Sequence, residues 1–451
     1  MKNIIDFSCS KVNLILQNLE KMNSLNKDKQ KFRILYREKK SIGEKEYIIV
    51  KFKGSGSYGN VFQIINDTKE ESIIKRGASF IIKVMKYVGK EEPMRTKIIK
   101  NEIKNIKKII YKLKNKKKKN NKKEIINNQI TNEYNKLKLI QDYILGIIDI
   151  KKCKNTDVIF LKYIKGDDLK ILVNKDNLSL NQNEIDFLYL QSLLSVRIFH
   201  KILNFSHRDL KLENLFFDEI EKNVKIIDFG FICNKNNYQC FKRYQGTGKY
   251  IHCKQNKIFT LKNNKRINSL SKNNSNKNNF TKKKDYSSPD AFSQDLFSLI
   301  IICLKIYYEN RKIKGGSTSK IYSIFKEYET NFIKYKDKIK DKKHRYINKK
   351  ILFSKLLKLK DSDIKHNSLK LIINVLRNCW DFDKKDFFSN GFIGKKNSYG
   401  NKLASNIIDY LIDELSRNLK PSSTYSYGQF VTDEMIKKTL NDISLLNEIK
   451  N

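Results

Sequence analysis

The chain reads as an α+β protein, a small β-rich unit followed by a larger and mainly helical one. Three observations predict this. Short runs rich in β-branched and aromatic residues cluster between residues 47 and 84. Helix-like segments dominate from about residue 183 onward. The 39% hydrophobic fraction of the 451 residues is enough for a sizeable core and excludes a wholly disordered chain.

In order along the chain, residues 1–45 form a polar extension with one amphipathic stretch, Val12 to Leu19. Tyr47-Ile48-Ile49-Val50, Val61-Phe62-Gln63-Ile64-Ile65 and Phe80-Ile81-Ile82-Lys83-Val84 predict strands, broken by Gly or Asn/Asp turns. Residues 86–130 are Lys/Asn-rich and read as an insert, although Ile99, Ile103, Ile106 and Ile110 keep helical spacing in its first half. Residues 144–150 and 157–164 predict two more strands. A second Lys/Asn/Ser-rich insert covers 256–286, and the lysine-rich 311–350 is partly helical. The apolar run Leu296 to Leu304 is too short to span a bilayer and predicts a buried helix. Residues 384–451 read as a tail in which Thr432-Asp433-Glu434 looks like a helix start. There is no internal repeat.

Charge is the most conspicuous compositional feature. The chain holds 93 Lys+Arg against 48 Asp+Glu, a formal charge of +45. That balance suggests a nucleic-acid or acidic-membrane partner. Yet only 12 of the basic residues are Arg, the residue suited to bidentate base contacts. Lys, Asn and Ile abound while Ala and Pro occur three times each, as codon bias in an A+T-rich genome would produce. Residues 86–130, 256–286 and 311–350 carry +30 of the +45, almost all of their basic residues being Lys where single-strand binders also use Arg. The charge is therefore read as insert composition, and nucleic acid is not the expected partner. Seven cysteines form no CxxC pair and no disulfide framework. With no signal-like apolar region at the N-terminus, reduced thiols and an intracellular (cytoplasmic or nuclear) compartment are expected. Cys233, Cys240, His252 and Cys253 match no common zinc spacing.

Three motifs carry chemistry. Gly54-Ser55-Gly56-Ser57-Tyr58-Gly59-Asn60-Val61 is a G-x-G-x-x-G-x-V loop between two strands. Its glycines let backbone N–H groups approach phosphate oxygens, although a plain glycine-rich hairpin reads the same way. His207-Arg208-Asp209-Leu210-Lys211-Leu212-Glu213-Asn214 follows, and fourteen residues beyond Asn214 comes Asp228-Phe229-Gly230. Together these resemble the eukaryotic protein kinase family over about residues 46–383.

The resemblance implies a bilobal fold: a small antiparallel β-rich N-lobe with helix C over 46–165, and a larger helical C-lobe over 166–383. It implies ATP and Mg²⁺ as cofactors and protein substrates as partners. Asp209 would accept or orient the substrate hydroxyl proton, and Asn214 and Asp228 would hold Mg²⁺. Lys83 would pair the α/β-phosphates, and its glutamate partner is expected to be Glu133, with Glu102 as runner-up. Gly54, Gly56, Gly59 and Val61 would cover the nucleotide. Leu161 falls at the gatekeeper position, so backbone groups of Lys162 and Ile164 would contact adenine. Ile81 and Phe216 would wall the adenine slot, both larger than the family's usual residues there. Lys211 and Thr247 resemble the Ser/Thr-kinase pattern, with the Thr247 hydroxyl bridging Asp209 and Lys211. Asp295 would anchor the catalytic-loop backbone, and His200 reads as structural.

The pattern also breaks. After Tyr250 the family's A-P-E is replaced by His252-Cys253-Lys254, and no Arg stands at the matching place near Trp380. Residues 231–245 contain no Ser or Thr, so activity is expected not to depend on phosphorylation there. An active Ser/Thr kinase is the leading reading. A pseudokinase scaffold is the alternative, kept open by Ile81, Phe216 and the missing A-P-E, and a nucleic-acid binder is the lesser one.

Overall fold

Alternation along three strands builds the core of the first of two units. The computed structural model describes residues 9–10, 12–15, 17, 31–39, 44–56, 59–66, 79–85, 93–120, 127–153, 156–175, 180–234, 246–250, 292–313, 320–334, 342–364, 366–379, 404–419 and 430–449. One unit comprises Met1–Ile130 with Leu145–Lys165, the other Thr131–Ile144 with Gly166–Asn451.

In the first unit, β1 (Lys31–Lys39), β2 (Glu44–Gly56), β3 (Gly59–Asn66), β4 (Ser79–Met85), β5 (Ile147–Cys153) and β6 (Thr156–Lys162) form one antiparallel sheet. Its strand order is β1-β2-β3-β4-β6-β5. Phe62, Ile64, Phe80, Ile82, Val84, Val158 and Phe160 all turn to one face, as the period-2 pattern requires, and all are buried. Val12 and Ile15, one helical turn apart, complete that core. The N-terminal segment and β1 are therefore part of this unit rather than an extension from it.

The same segment corrects the cysteine expectation. Cys9 is disulfide-bonded to Cys153 on β5, with Cα atoms 5.3 Å apart, and Cys233 is disulfide-bonded as well. Residues 144 positions apart carry no local spacing signal, so a search for CxxC-like pairs could not find this bond. The argument from thiols to a reducing compartment loses its premise. Among the described residues, Cys303 is free and buried, and no helix is long and apolar enough to cross a membrane.

The supposed insert at 86–130 is mostly a helix, α1 (Pro93–Asn120). Its buried face is Glu102, Ile103, Asn105, Ile106 and Ile109, while Lys97, Lys100, Lys104, Lys107 and Lys108 are exposed. The isoleucine periodicity outweighed the lysine-rich composition because lysines on the far face stay solvated. The following helix, α2 (Asn127–Tyr143), lies in the second unit from Thr131 onward.

The second unit is built on α4 (Gln182–Leu203), whose side chains are buried on nearly every face. Asn181 and Glu184 form a reciprocal capping box at its start. Before it come β7 (Gly166–Asp168) and α3 (Leu169–Val173). After it come β8 (Phe205–Ser206), β9 (Leu215–Asp218), β10 (Asn223–Ile226) and β11 (Cys233–Asn234). These pair as β10-β9-β7 and β11-β8. Then follow α5 (Ser293–Ile313), α6 (Lys320–Lys334), α7 (Lys342–Leu357), α8 (Asn367–Cys379), α9 (Ala404–Asn418) and α10 (Asp433–Glu448). Leu296 to Leu304 lies buried within α5.

The expected C-terminal tail is not peripheral. Arg197 on α4 grips Asp409 on α9 through two hydrogen bonds, of 2.5 and 2.8 Å. Thr432 caps α10, and Gln191 on α4 donates to Thr439 on α10 at 2.6 Å. Both helices bury one apolar face against this unit, which explains why they belong to it.

Candidate active site

The first unit assembles one group of residues on the sheet face opposite its core. Cross-strand register places Val61 beside Lys83, Lys83 beside Ile159, and Ile81 beside Leu161. Because Ile82 and Val84 point into the core, Val61, Ile81, Lys83 and Leu161 share the other face. The glycine motif is the β2–β3 hairpin, with Gly54 opposite Val61 and Gly56 opposite Gly59, while Ser57 and Tyr58 lie outside the described residues. Gly59 is sterically required, since a Cβ there would come within 2.6 Å of the Val84 carbonyl oxygen.

Lys83 Nζ lies 2.5 Å from Glu102 Oε1, and the glutamate side chain is almost fully buried on α1. This corrects the preference for Glu133. Glu133 is on α2 and pairs instead with Lys136 at 3.0 Å, a partly buried contact within one helical turn. Glu102 reaches Lys83 because the isoleucine face of α1 packs against the sheet unit and takes Glu102 inward with it. At the end of β6, the Lys162 N–H donates to the Gly146 carbonyl at 2.8 Å. Ile164 lies in the extended segment that follows.

The second unit gathers the other group around Asp209. Asp209 Oδ1 accepts two hydrogen bonds from Thr247, from its N–H at 2.6 Å and its hydroxyl at 2.8 Å. Lys211 Nζ donates to Thr247 Oγ1 at 3.4 Å and stands 3.6 Å from Asp209 Oδ2. Asn214 Nδ2 donates to the Asp209 carbonyl at 2.7 Å. The Ile227 N–H in turn donates to the Asn214 carbonyl at 3.0 Å, tying the residue before Asp228 to the residue expected to share its metal. Asp228 is held at φ 63° and Arg208 at φ 69°, left-handed conformations that non-glycine residues rarely adopt. Phe216, on β9, is partly exposed on the strand face opposite buried Leu215 and Phe217.

Asp295, at the start of α5, holds the Ser206–Arg208 backbone and side chains that precede Asp209. Its Oδ1 accepts the Arg208 N–H at 2.7 Å. Its Oδ2 accepts from the His207 N–H at 2.7 Å and the Ser206 hydroxyl at 2.9 Å, and meets His200 Nε2 at 2.7 Å. Burial would raise this carboxyl's pKa, but His200, His207 and the Arg208 amide together hold it below the usual value. His207 Nδ1 accepts the Asp209 N–H at 3.3 Å, so its Nε2 carries the proton shared with the Ile227 carbonyl at 3.1 Å. Phe229 stacks on Phe199 with centroids 6.1 Å apart. No motif pointed to Gln294, whose side-chain amide donates to the Arg208 carbonyl at 2.6 Å. Gly246, at φ 112°, leaves room there, since a Cβ would come within 2.4 Å of the same carbonyl oxygen.

Asn214 and Asp228 offer hard oxygen donors, the type Mg²⁺ takes alongside phosphate oxygens and water. Hydrogen bonding through Nδ2 leaves Asn214 Oδ1 to serve as a ligand. The chemistry of this pair fits the metal. Among the described residues no cluster of three or more His, Cys, Asp or Glu side chains is arranged to hold a metal unaided. His252, Cys253 and Lys254, at the altered A-P-E position, and Tyr238 and Tyr244 lie outside the described residues.

The first unit's sheet with its lysine–glutamate pair, and the second unit's braced aspartate with its neighbouring asparagine, are features that the resemblance to protein kinases implies. Residues 97–253 match the family model for the protein kinase domain, and the chain therefore carries a protein kinase domain. Similar curated proteins include CBL-interacting protein kinase 10 of Oryza sativa subsp. japonica, 30% identical over 43% of this chain and 34% of that protein. The carbon catabolite-derepressing protein kinase of Saccharomyces cerevisiae is 32% identical over 27% of this chain and 19% of its own length. The serine/threonine-protein kinase grp of Drosophila melanogaster is 35% identical over 28% and 24% respectively. The matched part spans about a third or less of the length of these relatives.

Proposed function

We propose that this chain is an ATP-dependent Ser/Thr protein kinase. The observation that carries the reading is the Asp209–Thr247–Lys211 arrangement. Thr247 occupies Asp209 Oδ1 with two hydrogen bonds, which orients Oδ2 beside the Lys211 ammonium. A carboxylate held in this way is suited to receive a proton from an attacking hydroxyl.

In the proposed reaction, a substrate Ser or Thr hydroxyl oxygen bonds to the γ-phosphorus of ATP. The bond from that phosphorus to the β–γ bridging oxygen breaks, ADP leaves, and the hydroxyl proton passes to Asp209. Lys211 would neutralise charge on the transferring group, and Lys83, oriented by Glu102, would hold the α/β-phosphates. Asn214 and Asp228 would hold Mg²⁺, which, when bound, supplies charge neutralisation across the phosphates. Gly54, Gly56, Gly59 and Val61 would cover the nucleotide, with the Lys162 carbonyl and Ile164 N–H on adenine and Ile81 and Phe216 as walls. Ser/Thr preference is supported by Lys211 and Thr247 and by the names of the relatives. A non-catalytic scaffold is the competing reading, favoured by the bulk of Ile81 and Phe216 at the nucleotide walls.

The test is Mg²⁺-dependent transfer of labelled γ-phosphate to a generic basic protein, with Asp209→Asn as control. Transfer to serine or threonine by the wild type alone is expected. Equal labelling by both proteins, or none by either, overturns the proposal, and nucleotide-induced thermal stabilisation without transfer identifies a scaffold.

A further inference from the structure

Three successive backbone carbonyls beside the Asp209 site are each held by a different helix. Gly248 accepts from Lys349 Nζ on α7 at 3.2 Å, Lys249 from the Tyr328 hydroxyl on α6 at 2.9 Å, and Tyr250 from the Ser298 hydroxyl on α5 at 2.8 Å. A turn closes the segment, with the Tyr250 N–H donating to the Thr247 carbonyl at 2.9 Å. Thr247, at its head, is the residue that occupies Asp209 Oδ1.

A chain of alternating charges runs beneath this turn. The Lys249 ammonium hydrogen-bonds Glu329 Oε2 on α6. Glu329 Oε1 is 3.5 Å from Lys305 Nζ on α5, and Lys305 is 3.8 Å from Glu309. Glu329, Lys305 and Glu309 are buried. Glu329 is therefore the carboxylate that neutralises two ammonium groups at once, one of them on the turn that braces Asp209. Removing its charge would take from Lys249 its carboxylate partner and leave Lys305 with Glu309 alone.

We propose that Glu329 is a positioning residue: through Lys249 it fixes the Thr247–Tyr250 turn, and through Thr247 it sets Asp209 for transfer to a protein hydroxyl. The kinetic consequence rests on the kinase reading above, whereas the structural one does not. Its side chain meets Lys249 and Lys305 rather than Asp209 itself. Its loss should therefore impair transfer to a protein while sparing nucleotide affinity and the slow hydrolysis of ATP by water.

The experiment compares the full-length wild type with Glu329→Gln, Lys249→Met and the control Glu327→Gln. Glu327 lies on the same helix α6 but pairs with Lys355 on α7 at 2.5 Å in an exposed position. Hydrogen exchange at the Thr247 and Tyr250 amides should quicken about tenfold in Glu329→Gln, with α4 unchanged. The kcat for protein phosphorylation should fall about tenfold to a hundredfold, with ATP affinity and acceptor-independent hydrolysis unchanged and Glu327→Gln like wild type. Unchanged exchange in Glu329→Gln overturns the proposal, as does an unchanged kcat or an equal fall in transfer and hydrolysis. If the wild type transfers no phosphate, the kinase reading fails while the exchange measurement still decides this one. If Glu329→Gln does not fold, Lys249→Met, which breaks the same link from the more exposed side, decides by the same readouts.

Discussion

Asp295 Oδ1 accepts the backbone N–H of Arg208 at 2.7 Å, and Arg208 itself stands at φ 69°. A buried carboxylate thus holds the residue before Asp209 in a conformation that its side chain disfavours. Asp295→Asn should destabilise the second unit by about 3–5 kcal/mol at neutral pH, because it removes the counter-charge from a buried cluster. The folded carboxyl titrates below its ordinary value of 3.8, so its contribution is complete above that value and fades as pH falls through the folded pKa. Urea unfolding of both proteins across the acid range checks this, and the gap between them should narrow towards the acid end.

Lys83 and Glu102 act as a pair if the kinase reading holds. Lys83→Met should lower phosphoryl transfer on the order of a hundredfold, the cost of one preorganised charge donor. Glu102→Gln should also lower it, while Glu133→Gln leaves it unchanged because that residue's partner is the neighbouring Lys136. Steady-state kinetics of the three variants separates the two glutamates.

Asp442 ties the last helix to α2. It is fully buried, accepts the Tyr143 hydroxyl at 2.8 Å and pairs with Lys138 at 3.1 Å. Burial, then the Asp442 charge, pushes the Tyr143 phenol well above its usual pKa, so it stays a neutral donor. Asp442→Ala should cost about 1.5–3 kcal/mol, the worth of a hydrogen bond to a charged group. A double-mutant cycle with Tyr143→Phe should show coupling of about 0.5 kcal/mol or more in thermal or denaturant unfolding.

The Cys9–Cys153 bond closes a long loop, joining residues 144 positions apart. Reduction, or a Cys9→Ser substitution, should lower the stability of the first unit by about 2–4 kcal/mol. Denaturant melts with and without reductant measure this, and the Cys9→Ser protein should lose part of the reductant response.

Much of the second unit's site was legible because its parts are contiguous. His207, Asp209, Lys211 and Asn214 lie within eight residues, and a short hairpin separates them from Asp228. Chain connectivity alone keeps such groups close, so motif spacing is enough to name them. The alternation of Phe62, Ile64, Phe80, Ile82 and Val84 likewise announced a sheet with one buried face. The lysine-rich composition of 86–130 misled, because composition averages over both faces of a helix while burial depends on one.

What the sequence determined by itself was the α+β order, the strand faces and the identity of the residues around Asp209. What only the tertiary structure decided were the partnerships across the chain. Lys83 finds Glu102 across 19 residues, Lys249 finds Glu329 across 80, Arg208 finds Asp295 across 87, and Cys9 finds Cys153 across 144. Period and spacing encode which face a side chain occupies within its own element. Which distant element meets that face depends on how whole helices and strands pack, and no local pattern records that choice.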